Sequence, residues 1–212
     1  MRAVVIYATC EGQTERIAKR IALTLNEHGV AADTFDVTKT SVTELAIESY
    51  EAVVLGSPLH YGEHDRRVVW CIQENHHYLS KIPNAFFTVC LRILDERPDE
   101  QKTVDEAVSK LFSRINYTPS RRATFAGALR YSEYGWLKKH MMRWIAKKYG
   151  CDTRLNDDHE FTDWKAVEDF ATEFAELVKH TLRPDLPGRW NPDANRRPWG
   201  RVTGQSKVSE LQ

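Results

Sequence analysis

The chain has 212 residues, 42 % of them hydrophobic, which suits one packed domain or one domain with an appendage. Lys plus Arg and Asp plus Glu number 30 each, a balance that argues against bulk electrostatic binding to nucleic acid. Cys10, Cys71, Cys90 and Cys151 show no CxxC pair and no metal-ligand spacing, so neither a disulfide scaffold nor a zinc site is expected.

Ala3 to Tyr7 is a short apolar run that predicts a strand, and Ile17, Ala18, Ile21, Ala22 and Leu25 follow at helical spacing. Gly29 closes that helix as a left-handed residue does, and Val30 to Val37 predicts a second strand. Ala52 to Gly56 is apolar throughout, the mark of a strand buried on both faces, and Val68 to Leu79 continues as a helix. Pro83 to Leu91 predicts a fourth strand, Val104 to Ile115 a helix and Thr124 to Leu129 a fifth strand. Thr162 is expected to open a last helix that buries Val167, Phe170, Ala171, Phe174 and Leu177. Alternating strands and helices imply an α/β fold, a five-stranded parallel sheet with helices on both faces. Ligands of such sheets bind beyond the carboxyl ends of the strands, here the loops at Thr9 to Thr14, Ser57 to His64, Cys90 to Glu96 and Arg130 onward.

Two stretches exceed that plan. Arg130 to Glu160 is far longer than an ordinary connection and reads as an insertion. From Arg183, prolines, glycines and arginines replace the periodic pattern, so the expected layout is a domain over 1–182 and a mostly unstructured basic tail over 183–212. No apolar run reaches the roughly 20 residues of a spanning helix, so the expected location is the cytoplasm, or the inner face of a membrane as a peripheral protein.

The first loop carries the most chemistry. Gly12 permits close backbone approach, Thr9 and Thr14 offer hydroxyls, and the next helix aims free N–H groups at the loop, a setting suited to a phosphate. It lacks the signatures of dinucleotide and triphosphate loops. Turn and cap chemistry alone also explains Gly and Thr there. Thr9, Cys10, Glu11, Gly12, Gln13 and Thr14 resemble the FMN-phosphate loop of flavodoxins, which implies FMN as cofactor and the sheet order 2-1-3-4-5. The resemblance makes Ser57, Leu59, His60, Tyr61 and Gly62 one flavin loop, with Tyr61 as the stacking ring or an ordinary surface tyrosine, and His60 as a donor or a water-facing residue. Val89, Cys90 and Leu91 are the other, acting through main-chain groups, with Cys90 a packing residue rather than a redox thiol.

A narrower resemblance rests on Glu11-Gly12-Gln13-Thr14, Tyr61-Gly62, Ala126 to Tyr131 and Phe161-Thr162-Asp163-Trp164. In that order they resemble the flavodoxin-like, quinone-dependent protoporphyrinogen IX dehydrogenases, from about Met1 to His180. This implies an FMN enzyme that oxidises protoporphyrinogen IX to protoporphyrin IX and hands electrons to menaquinone or ubiquinone. Ala8, His60 and the acidic run Asp95 to Glu100 depart from the family pattern and bear on the substrate more than on FMN. No catalytic acid or base is assigned.

If Trp136 to Tyr149 is helical, Leu137, Met141, Trp144 and Ile145 share one face while Lys139, Arg143 and Lys147 share the other. Such a helix suits anionic lipid or a propionate-bearing tetrapyrrole, and equally a helix packed on its own domain or a dimer surface. Arg130 and Tyr131, expected at the carboxyl end of the fifth strand, offer a propionate partner, or Arg130 pairs with a carboxylate of the domain. The alternatives are a flavodoxin-type FMN carrier, another FMN quinone oxidoreductase, or a cofactor-free interaction protein. Zero net charge and the basic insertion argue against a carrier docking on basic reductases.

Overall fold

The computed structural model describes residues 1–94, 98–129 and 159–183. Its elements are β1 (Arg2–Tyr7), α1 (Gln13–Glu27), β2 (Ala31–Asp36), β3 (Ala52–His60), β4 (Glu63–His64), α2 (Arg66–Glu74), α3 (His76–Leu79), β5 (Asn84–Val89), α4 (Pro98–Arg114), β6 (Arg121–Phe125), β7 (Ala128–Leu129), β8 (His159–Glu160) and α5 (Trp164–Leu182). The main strands run parallel in the order β2-β1-β3-β5-β6, as the flavodoxin resemblance implies, and β4 folds back antiparallel on β3.

Side-chain alternation splits the core between the two faces of the sheet. Ala3 and Val5 of β1, Ala52 and Val54 of β3 and Phe87 of β5 face α1 and α5, meeting Ile17, Ile21, Leu25, Phe170 and Phe174. Val4, Ile6, Val53, Leu55 and Phe86 face the opposite way, toward Val68 and Ile72 of α2 and Val108, Leu111 and Phe112 of α4. The three central strands are therefore apolar on both sides, whereas β2, at one edge, has no fully buried residue. Gly56 is required by packing: a Cβ there would lie 2.1 Å from Cζ of the buried Phe87 ring.

Four expectations need correction. The run Thr124 to Leu129 is not one strand. The parallel strand ends at Phe125, and Ala128–Leu129 pairs antiparallel with His159–Glu160 instead. The apolar run hides this change of partner, which is fixed by contacts from far along the chain: Ala126 O accepts from the Thr162 hydroxyl at 2.8 Å and Gly127 O from the Phe161 N–H at 3.2 Å. Second, Thr162 does not cap the last helix; Asp163 does, accepting from the Ala166 N–H at 3.0 Å. Third, Val68 to Leu79 breaks at Asn75, whose side-chain amide turns back to Cys71 O at 2.9 Å. Fourth, α4 begins at Pro98 rather than near Val104, with proline at a first-turn position it favours.

Candidate functional site

Strand pairing gathers three loops at one end of the sheet. Tyr7 pairs with Gly56, Pro58 with Val89 and Val89 with Phe125, so the chain leaves β1, β3 and β5 side by side. The Ala8 N–H donates to Gly56 O at 3.1 Å and extends the first contact by one residue into the loop.

In the loop Thr9 to Thr14, the Thr9 hydroxyl accepts from the Gly12 N–H at 2.9 Å and closes the turn. Gly12 stands at the start of α1 with φ 80°, a left-handed conformation that suits glycine, and no side chain caps the helix. The first-turn N–H groups are thus left to a ligand or to water, and with the dipole they favour an anion. Cys10 is exposed and Glu11 partly exposed, whereas Gln13 and Thr14 are buried. Around the loop, Glu15 pairs with Lys19 at 2.8 Å, and the hydrogen bond from Lys19 holds its carboxyl below the usual range. Burial pushes the Asp36 carboxyl upward, but bonds from the Thr38 hydroxyl and N–H and from Lys39 outweigh it and hold the carboxyl below its usual range.

Gln13 is committed elsewhere through its side chain. Its amide donates to Glu160 Oε1 and to Thr162 Oγ1, each at 2.8 Å, and accepts from Arg16 at 3.2 Å. Arg16 also pairs with Glu160 at 3.0 Å, and the Arg16 and Arg20 guanidiniums lie over the Trp164 ring, 5.3 and 5.7 Å from its centroid. Every residue of Phe161-Thr162-Asp163-Trp164 therefore serves the fold. Phe161 ties to Gly127, Thr162 to Gln13 and Ala126, Asp163 caps α5 and Trp164 supports two arginines of α1. Of the Gln13 groups, only the main-chain N–H is left to the loop.

The second loop is a tight hairpin. Leu59 pairs with His64 and His60 with Glu63, leaving Tyr61 and Gly62 as a two-residue turn with φ 54° and 82°. Positive φ at both positions is the turn that follows strand twist, in which glycine is ordinary and tyrosine is not. Tyr61 is 94 % exposed, with His60 and Gly62 exposed beside it and Leu59 partly buried. Ser57 is fully buried, and its hydroxyl donates to Pro58 O at 3.0 Å and accepts from the Asp65 N–H at 2.9 Å. Asp65 caps α2, and its hydrogen bonds from Arg67 hold its carboxyl below the usual range.

Val89 and Cys90 are buried and Leu91 partly so; the Cys90 N–H bonds to Phe125 O at 3.0 Å. Burial pushes the Cys90 thiol up, which fits packing and not a reactive thiolate. Arg130, Tyr131, Trp136, Lys139, Arg143, Trp144 and Lys147 lie outside the described residues, as do the insertion up to 158 and the tail from 184. Because β6 stops at Phe125, Arg130 does not follow the fifth sheet strand directly but comes after β7. Among the described residues no metal-binding group occurs and no helix is long and apolar enough to cross a membrane.

Sequence reasoning passed over His64. It is 7 % exposed, its Nε2 lies 3.1 Å from Thr88 Oγ1, and its ring stands edge-on to Phe86 at 5.4 Å. Burial, helped by the charge of Arg114, pushes its imidazole down to about 4. A lone histidine in a polar loop carries no sequence signal of this, since the partner strand lies more than twenty residues away.

Comparison with known proteins adds the following. Residues 4–156 match the family profile described as a flavodoxin domain. A protein of Escherichia coli (strain K12) named protoporphyrinogen IX dehydrogenase (quinone) is 31 % identical over 185 residues, covering 86 % of this chain and 100 % of that one. A Leishmania major protein of the same name is 32 % identical over 179 residues, covering 83 % of this chain and 75 % of its own. Among solved structures, rubredoxin oxygen:oxidoreductase from Desulfovibrio gigas superposes with a TM-score of 0.54 at 13 % identity, over 86 % of this chain and 37 % of that one, a likeness of fold.

Proposed function

Since this chain belongs to the flavodoxin-domain family of the protoporphyrinogen IX dehydrogenases (quinone), we propose that it is an FMN-dependent oxidoreductase that converts protoporphyrinogen IX to protoporphyrin IX and delivers the electrons to a quinone. A flavodoxin domain is a flavin-binding unit, and FMN is the flavin that fits here. The observation that carries this is the meeting, at one end of the sheet, of an uncapped helix start with the Tyr61-Gly62 hairpin and the end of β5.

The donor set fits a phosphate monoester. Main-chain N–H groups at Gln13, Thr14 and Glu15, together with the Thr14 hydroxyl, would hold the anion without a lysine or arginine in the loop. Tyr61 offers an almost wholly exposed ring that would stack on the flavin, and Gly62 would leave room for main chain beside it. Val89, Cys90 and Leu91, at the end of β5, would offer it peptide groups from the neighbouring loop. Held there, FMN would supply the two-electron chemistry that links a carbon donor to a quinone. The protein's own part would be to orient the ring between the two loops.

The basic and aromatic insertion is the element proposed to meet the anionic inner membrane surface, where menaquinone or ubiquinone resides, and Arg130 to pair with a propionate. Purified protein should be yellow with a flavin spectrum and should form fluorescent protoporphyrin only when a quinone is supplied. A flavin-loaded protein with no quinone-dependent rate overturns the enzyme assignment in favour of an electron carrier. Retention on anionic vesicles but not on neutral ones tests the membrane contact.

A further inference from the structure

The hairpin that carries Tyr61 is too small to hold itself. Two residue pairs close it, and its turn contains a tyrosine in left-handed backbone. A ladder of that size has no stability of its own in water. Two side-chain bonds fix its return arm. The Asp65 N–H bonds to Ser57 Oγ at 2.9 Å, which ties the arm to β3, the strand it already follows. His64, buried beneath the arm, instead reaches Thr88 Oγ1 at 3.1 Å and packs against Phe86, both on β5. Thr88 is the residue immediately before Val89, Cys90 and Leu91.

We propose that His64 is a positioning residue for the cofactor: its bond to Thr88 clamps the Tyr61 hairpin to β5, so that the two loops flanking the flavin are held at a set separation before the cofactor arrives. The proposal rests on the assignment of FMN to this end of the sheet. Preorganisation of this kind raises affinity by removing the ordering cost from the binding step. Burial suits the role, because the polar contact is shielded from competing water and the imidazole cannot swing out without exposing Phe86.

The test uses the full-length apoprotein with Thr88→Val and His64→Leu, each of which removes one side of the contact. Tyr117→Phe is the control, because it removes a buried 2.7 Å bond to Asn84 at the opposite end of the same strand. Chymotrypsin is applied well below the unfolding midpoint, and the fragment ending at Tyr61 is followed by mass spectrometry. Cleavage at Tyr61 is expected to rise about tenfold in Thr88→Val and His64→Leu and to stay within about twofold of wild type in Tyr117→Phe. The FMN dissociation constant, from quenching of flavin fluorescence, is expected to rise about tenfold in the same two variants only. Should His64→Leu fail to fold, Thr88→Val, nearly isosteric, carries the test alone. Wild-type cleavage rates in the clamp variants, equal acceleration in Tyr117→Phe, or faster cleavage with unchanged FMN affinity would each overturn the proposal. A wild-type apoprotein that takes up no FMN overturns the cofactor assignment instead, and the cleavage comparison still decides whether the clamp exists.

Discussion

Replacing His64 by leucine should remove a defined part of the protein's acid sensitivity. The imidazole titrates at about 4 in the fold against 6.5 when free, with burial as the first cause and the Arg114 charge as the second. Above pH 6.5 neither the folded nor the unfolded state binds this proton, and the group makes no pH-dependent contribution. As the pH falls below 6.5, the unfolded chain takes up a proton that the fold refuses, so stability declines by about 1.4 kcal/mol per pH unit until about pH 4. The gap between the two values sets a ceiling of about 3 kcal/mol, of which about 2 kcal/mol is lost by pH 5. Urea unfolding of the wild-type and His64→Leu apoproteins from about pH 7 to pH 5 measures it. Wild type should lose about 2 kcal/mol more than the variant. The Asp36, Asp65 and Glu15 carboxyls, each held below the usual range, add acid sensitivity of their own, but equally in both proteins. A stability difference constant to within about 0.5 kcal/mol over that range would refute the account of a neutral, water-excluded imidazole.

Gly56→Ala should cost about 2 kcal/mol, because its new methyl meets the buried Phe87 ring, and Phe87→Leu in the same chain should recover part of the loss in urea midpoint. Tyr61→Asn is expected to raise the apoprotein's thermal midpoint, since asparagine tolerates left-handed backbone better, while weakening FMN binding in a fluorescence titration. Gln13→Glu should destabilise more at about pH 7 than Gln13→Ala, because both lose the amide donor but only the first sets a second carboxylate against Glu160; the excess should shrink as the pH falls toward about 4. Asp163→Ala should cost about 1 kcal/mol through loss of the α5 cap, measured by chemical unfolding.

The parallel sheet was legible because strands buried on both faces write themselves as unbroken apolar runs, as Ala52 to Leu55 does. The turn from Thr9 to Thr14 into α1 was legible because strand, glycine and helix start are neighbours in sequence. What escaped was decided by distant partners. Thr124 to Leu129 looks like one strand, yet its second half pairs with residues some thirty positions further on. Thr162 and Asp163 are both good caps, and the choice falls to Asp163 because the threonine hydroxyl is engaged by Ala126 and Gln13. His64 and Thr88 are ordinary in sequence and become a pair only when β4 folds back on β3 beside β5.

The short ladder of β7 and β8 has an architectural consequence. It brings residues 129 and 159 to the same place and ties them to α1 through Gln13, Arg16 and Glu160. The ladder closes the described part of the domain by itself, and the entropic cost of joining its two ends grows only slowly with the length of the connection. Such a stem works as a cassette socket, because the connection between Leu129 and His159 can be exchanged while the ladder and its ties to α1 stay in place. Grafting a short turn between Leu129 and His159 would be the engineer's version of that exchange.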